Sequence, residues 1–128
     1  MRCKSSLLAL SLLLAAAAAP ALAQDAAAGG AFFKQRCSTC HTVTPGQSPG
    51  LAPGLAPNLY GVVGRKAAST TFNYSTALKA SGLTWDAATL DKFLTSPMKL
   101  VPGTRMLIPV ADAKQRADLI AYLASLKK

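Results

Sequence analysis

One histidine serves the whole 128-residue chain, and cysteines number three. Cys3 lies in the opening stretch MRCKSS, so only Cys37 and Cys40 belong to the body of the protein. A structural zinc needs four nitrogen or sulfur ligands, and neither a second C-x-x-C nor a second histidine exists to close such a site. Acids are scarce: 5 Asp+Glu stand against 14 Lys+Arg, a formal charge of +9. Sustained apolar/polar alternation is missing and β-branched residues are scattered, so strands find little support and the expected class is all-α with long loops. After residue 23 no apolar run approaches a membrane-spanning length.

What is present begins with a leader. Arg2 and Lys4 precede the apolar run LLALSLLLAAAAA, Leu7 to Ala19, which Pro20 ends before Ala21-Leu22-Ala23. A basic start, a short apolar core and an Ala-x-Ala end describe a secretory signal peptide. Read as a membrane anchor, the run is too short: at 1.5 Å per residue it makes about 20 Å against a hydrocarbon core of roughly 30 Å. Cleavage after Ala23 leaves Gln24–Lys128, a single domain of 105 residues (128 − 23) with charge 12 − 5 = +7 once Arg2 and Lys4 depart. No segment of that mature chain is expected to span a membrane. At this size roughly two thirds of the unfolded surface is buried, enough for a modest core of which any large prosthetic group would form a substantial part.

Three helical patterns stand out. One runs from about Asp25 to Arg36, with Phe32 and Phe33 apolar. A second begins near Thr84-Trp85-Asp86 and carries Leu90, Phe93 and Leu94 at helical spacing, with Thr84 as N-cap and Pro97 as stop. A third covers about Asp112 to Leu126, with Leu119, Ile120, Leu123 and Leu126 on one face and Lys127–Lys128 suited to the negative end of the helix dipole. A short helix around Ser75–Ala80, ended by Gly82, is also expected. Between the first and the rest, residues 45–58 read PGQSPGLAPGLAPN, in which PGLA occurs twice. Proline fixes φ and glycine supplies positive φ, so this is a chain of turns; it either covers one side of a site or is a surface duplication.

Residues 37–43 read CSTCHTV and place two cysteines and the only histidine within five positions. A thioredoxin-like dithiol would follow a strand and open a helix, whereas this motif follows a helix and precedes a proline-rich loop. A disulfide between Cys37 and Cys40 is possible in an oxidising compartment and leaves His41 unexplained. C-x-x-C-H is the attachment signature of a covalent c-type haem. Each sulfur adds to one vinyl group, giving two thioethers, and the next residue sets an imidazole beneath the iron as proximal ligand. Covalent tethering suits an exported protein, which would otherwise lose its haem. For the other side of the iron the mature chain offers Met98, Met106 or a lysine nitrogen. Met106 lies in VPGTRMLIP, a non-helical loop bracketed by Pro102-Gly103 and Pro109, while Met98 follows Pro97 and could equally be a packing residue.

From Gly29 to Leu126 the chain resembles the class I cytochromes c. The resemblance rests on CSTCHTV (37–43), APNLYGVVGRK (56–66), FNYS (72–75), LTW (83–85), SPMKLVPGTRM (96–106) and RADLIAYL (116–123), in that order. It implies a small cytochrome c fold, helices and long loops wrapped around one covalently bound haem c. It implies that Met106 is the distal ligand opposite His41, and that the Pro57 carbonyl accepts from the ligating imidazole. Tyr74, Trp85, Arg65 and Thr104 match positions that bond or enclose the haem propionates. Gly29 and Phe33 with Leu119 and Tyr122 match the crossing of the first and last helices. Departures are Phe93 where a tyrosine hydroxyl is frequent, Leu78 at another frequently polar position and Ile108 at a frequent aromatic. The loop between His41 and Pro57 is also longer, by one PGLA unit, than in short relatives.

Histidine and methionine fill both axial positions, which favours Fe(II) and describes a carrier rather than a catalyst. The expected function is a soluble, monomeric, periplasmic one-electron carrier; the alternative is a haem enzyme with peroxidase-like activity at a labile distal site. Lys34, Arg36, Lys99 and Arg105 are expected to ring the exposed haem edge and steer the protein onto redox partners with acidic docking surfaces. Candidates by class are a quinol-oxidising bc-type complex, a terminal oxidase, a reaction centre or a periplasmic dehydrogenase. Nucleic acid is not an expected partner of an exported chain without a recognition motif.

Overall fold

The computed structural model describes residues 23–47 and 55–126. The leader through residue 22, residues 48–54 of the PGLA repeat, and Lys127–Lys128 lie outside the described residues. Five helices follow in order: α1 Ala26–Arg36, α2 Thr76–Ala80, α3 Ala87–Thr95, α4 Pro97–Leu100 and α5 Ala113–Ser125. Among the described residues there is no strand, and Lys66 and Thr84 form an isolated antiparallel bridge.

Helix starts are set by side chains that accept the orphan amides of the first turn. Asp25 takes Ala27 N and Ala28 N for α1, Ser75 takes Leu78 N for α2, Asp86 takes Thr89 N for α3, and Asp112 takes Gln115 N for α5. The two remaining carboxylates tie helices together. Asp91 pairs with Arg116 at 2.8 Å, joining α3 to α5. Asp118 accepts Lys114 Nζ and, at 2.8 Å, the backbone N–H of Asp25, which joins α5 to the start of α1. All five acids of the chain therefore hold helices.

One expectation needs correction and another is extended. Thr84 does not cap α3: it is drawn into the bridge with Lys66, Trp85 N donates to Arg65 O at 2.8 Å, and the cap falls to Asp86. Pro97 lies beyond the end of α3, at Thr95, but it also opens α4 as its first residue, where a missing N–H costs nothing. Met98 sits on α4 and is 48% exposed.

α1 and α5 cross with their backbones in contact. A Cβ on Gly29 would overlap the Asp118 carbonyl and stand 2.9 Å from Leu119 N, so only glycine fits. Beside it Phe33 packs on Tyr122, ring centroids 5.7 Å apart. The core continues through Leu119, Ile120 and Leu123 of α5 and Leu90, Phe93 and Leu94 of α3 to Val62, Trp85, Val101 and Val110 in the loops.

Candidate functional site

α1 runs directly into the CSTCH segment. Cys37 caps its C-terminus, its N–H donating to Phe33 O at 2.8 Å, and His41 N closes a further turn on Cys37 O at 2.9 Å. This winding carries Cys37, Cys40 and His41 out of the helix end as one unit. Both cysteines are free thiols and half-buried. Burial pushes the Cys37 thiol up to about 11, against a smaller pull from Arg36, so it is protonated at neutral pH. Among the described residues no three His, Cys, Asp or Glu side chains converge to chelate a metal.

His41 Nδ1 lies 2.8 Å from the Pro57 carbonyl. A carbonyl only accepts, so Nδ1 carries the proton and Nε2 keeps its lone pair. Burial lowers the imidazole's pKa, opposed by that same hydrogen bond, and the ring is neutral at pH 7. A neutral imidazole oriented through one nitrogen, with the other available as donor, is the form a metal requires. Two thiols, Cys40 directly before it and Cys37 one turn before it, complete a donor set that fits a covalent haem.

The remaining sequence-expected residues fall into two groups. Thr104 is buried, and its Oγ1 accepts from Met106 N at 3.3 Å, fixing the start of the loop that carries the half-buried Met106 sulfur. Gly103, at φ +92°, turns the chain into that loop where a non-glycine residue would be strained. Arg105 reaches across to donate to Asn73 O at 2.8 Å, tying the same loop to the neighbour of Tyr74. Buried Tyr74 shares a 2.6 Å hydrogen bond with Thr70 Oγ1, and buried Trp85 packs edge-on to Phe93, centroids 4.9 Å apart. Arg65 spends both terminal nitrogens on backbone carbonyls, of Tyr60 at 3.1 Å and Asn58 at 3.0 Å. It braces the loop behind Pro57.

Sequence reading missed Asn58. Its side chain bonds Thr44 O, Gln47 O and Tyr60 N, joining the two flanks of the proline-rich loop beside His41. The signal available was an asparagine directly after proline, a residue type that turns the backbone through its own side chain.

Known proteins bear on this arrangement. The family model described as Cytochrome c matches residues 26–127. Cytochrome c2 of Rhodomicrobium vannielii is 46% identical over 105 residues, 80% of this chain and 80% of that protein. Cytochrome c of Tetrahymena pyriformis is 48% identical over 102 residues, 79% and 88% of the two chains. Among solved structures, cytochrome cH from Methylobacterium extorquens superposes with a TM-score of 0.69 at 44% identity, covering 79% of this chain and 98% of that one. With a family match that runs from the first turn of α1 past the end of α5, and a lone histidine poised on Nε2 one residue after a pair of thiols, the chain belongs to the cytochrome c family, electron carriers rather than enzymes, which hold one covalently attached haem c.

Proposed function

We propose that this protein is a soluble periplasmic one-electron carrier in which Cys37 and Cys40 would hold the haem through two thioethers and His41 and Met106 would ligate its iron. The observation that carries this reading is the state of His41: Nδ1 committed to Pro57 O, Nε2 uncommitted among the described residues, in a chain with no other histidine. When bound, the haem supplies reversible one-electron Fe(III)/Fe(II) chemistry.

The chain's own groups prepare for that chemistry. Pro57 holds one tautomer and makes Nε2 a better donor. Thr104 and Arg105 fasten the Met106 loop at both its backbone and its edge. Phe93, buried, and Leu78, partly buried in the same core, present hydrocarbon where a hydroxyl or amide would bring water. A rigid, dry frame reorganises little when charge changes, which is what a carrier needs. Pro57, Arg65, Tyr74, Trp85 and Thr104 complete the proposed haem surround.

Lys34, Arg36, Lys99 and Arg105 are all exposed, as are Leu107 and Ile108 next to Met106, at 64% and 58%. An apolar spot among cations suits brief docking on acidic surfaces of redox partners, with encounter rates that fall as salt rises. The partner classes named above remain the candidates. Export rests on the leader sequence, residues 1–23. Among the described residues no helix is long and apolar enough to cross a membrane.

The test is visible absorption of the exported protein, oxidised and reduced. A low-spin c-type spectrum with the weak far-red band of methionine on ferric iron is expected, and Met106→Ala should abolish that band. A haem spectrum unchanged by Met106→Ala would refute the axial assignment. Intact mass starting at a residue other than Gln24 would refute the leader boundary.

A further inference from the structure

The chain leaves the described residues after Gln47 and re-enters at Leu55. One side chain stitches the two flanks of that excursion. Asn58 Nδ2 donates to Thr44 O at 2.8 Å and to Gln47 O at 3.0 Å, both on the outgoing flank. Its Oδ1 accepts Tyr60 N at 2.8 Å, and its own carbonyl accepts from Arg65 at 3.0 Å. Both amide hydrogens are thus used. Next to it Leu59 N donates to Thr42 O at 2.8 Å, and buried Thr42 donates from Oγ1 to Gln47 Oε1 at 2.8 Å. The residue after His41 and the residue after Pro57 therefore belong to one hydrogen-bonded frame, which surrounds the His41–Pro57 contact.

We propose that Asn58 is a positioning residue: it aims the Pro57 carbonyl at His41 Nδ1 and isolates that contact from the length of the PGLA loop. A carbonyl accepts best near its own plane, so rotation of the Pro57 peptide weakens the bond that fixes the imidazole. With the frame closed by Asn58, the loop joins two points that are already fixed. Loop-closure cost changes only slowly with length, so a repeat unit can be gained or lost outside the frame without moving Pro57. The inference rests on His41 as proximal ligand.

The experiment uses the holoprotein in three variants: Asn58→Ala, Asn58→Asp, which keeps an acceptor for Tyr60 N but loses both donors, and deletion of residues 49–52, one PGLA unit. The readouts are the reduced-to-oxidised ratio at fixed ambient potential and the NMR shifts of the His41 ring. Each Asn58 variant should change the ratio about three- to tenfold, tenfold being about 59 mV for one electron, and move the His41 shifts. The deletion should leave both unchanged. An unaltered ratio and ring shifts in either Asn58 variant would overturn the proposal. So would a deletion that shifts them, and that arm stands even if Asn58→Ala does not fold. A wild-type spectrum lacking histidine ligation would overturn this and the axial assignment together; histidine ligation with silent Asn58 variants would overturn this alone.

Discussion

Gly29→Ala offers a direct test of how α1 meets α5. Alanine is the better helix former by about 1 kcal/mol, so an isolated helix would gain. In the protein the new Cβ would stand 2.9 Å from Leu119 N, where ordinary contact begins at 3.4 Å, and would overlap the Asp118 carbonyl more severely. Both are backbone atoms of a helix and cannot rotate aside. The carbonyl overlap is the deeper one, so the helices must part by more than the 0.5 Å (3.4 − 2.9) that Leu119 N alone would require. A gap of that size forfeits about a quarter or more of each dispersion contact it opens, here those of Phe33, Leu119 and Leu123. Overpacking costs about 1–3 kcal/mol, and rigid neighbours put this site at the upper end. Net of the helix gain, Gly29→Ala should destabilise by about 2 kcal/mol, or about 8–16 °C in Tm for a domain near 100 residues. Gly30→Ala is the control. It carries the same propensity gain, but its Cβ meets the Tyr122 ring at 3.1 Å, a side chain that can tilt, so its net change should be near zero. Urea melts of the holoproteins would check both. Equal midpoints for the two variants, or a more stable Gly29→Ala, would refute the close-approach reasoning.

Leu119, 2% exposed at the same crossing, should cost about 2–5 kcal/mol when cut to alanine, measured by the same melts. Asp118→Asn should lower Tm at neutral pH, since Lys114 and the Asp25 N–H hold the carboxyl below the usual carboxylate range. A depressed pKa contributes stability above the unfolded value, near about 3.9, and loses it as pH falls through the folded value. The Tm gap between wild type and Asp118→Asn should therefore be full above about pH 5 and narrow in acid; a gap constant down to pH 3 would rule out a charge effect. Cys37→Ser and Cys40→Ser should each leave one thioether, and the double variant should release its haem to acidified organic solvent, as absorbance of the extract would tell.

The sequence pattern found α1 and α5 within about a residue because each opens on an aspartate, and α5 also buries a continuous apolar face through Leu119, Ile120 and Leu123. It failed at α3, where Thr84 and Asp86 are both good caps and the choice was made elsewhere, by Lys66 and Arg65 drawing residues 84–85 into extended backbone. The site divides similarly. Cys37, Cys40 and His41 were legible because their chemistry requires those types at that spacing. Asn58 was not, and neither was the bracing role of Arg65, because their partners are backbone carbonyls. A carbonyl is offered by every residue, and no pattern of side chains marks which ones the fold will bring near.

The pairing of α1 with α5 also orders events in time. α1 meets no helix but α5 among the described residues, and α5 is the last of the described helices to be synthesised. Until it emerges, α1, which leads into Cys37 and Cys40, has no helix to close on. Contacts between sequence-distant segments also form slowly once both are present. The clasp between the first and last described helices thus works as a latch: the helix that leads into the CSTCH segment gains its helix partner only when the final turns arrive.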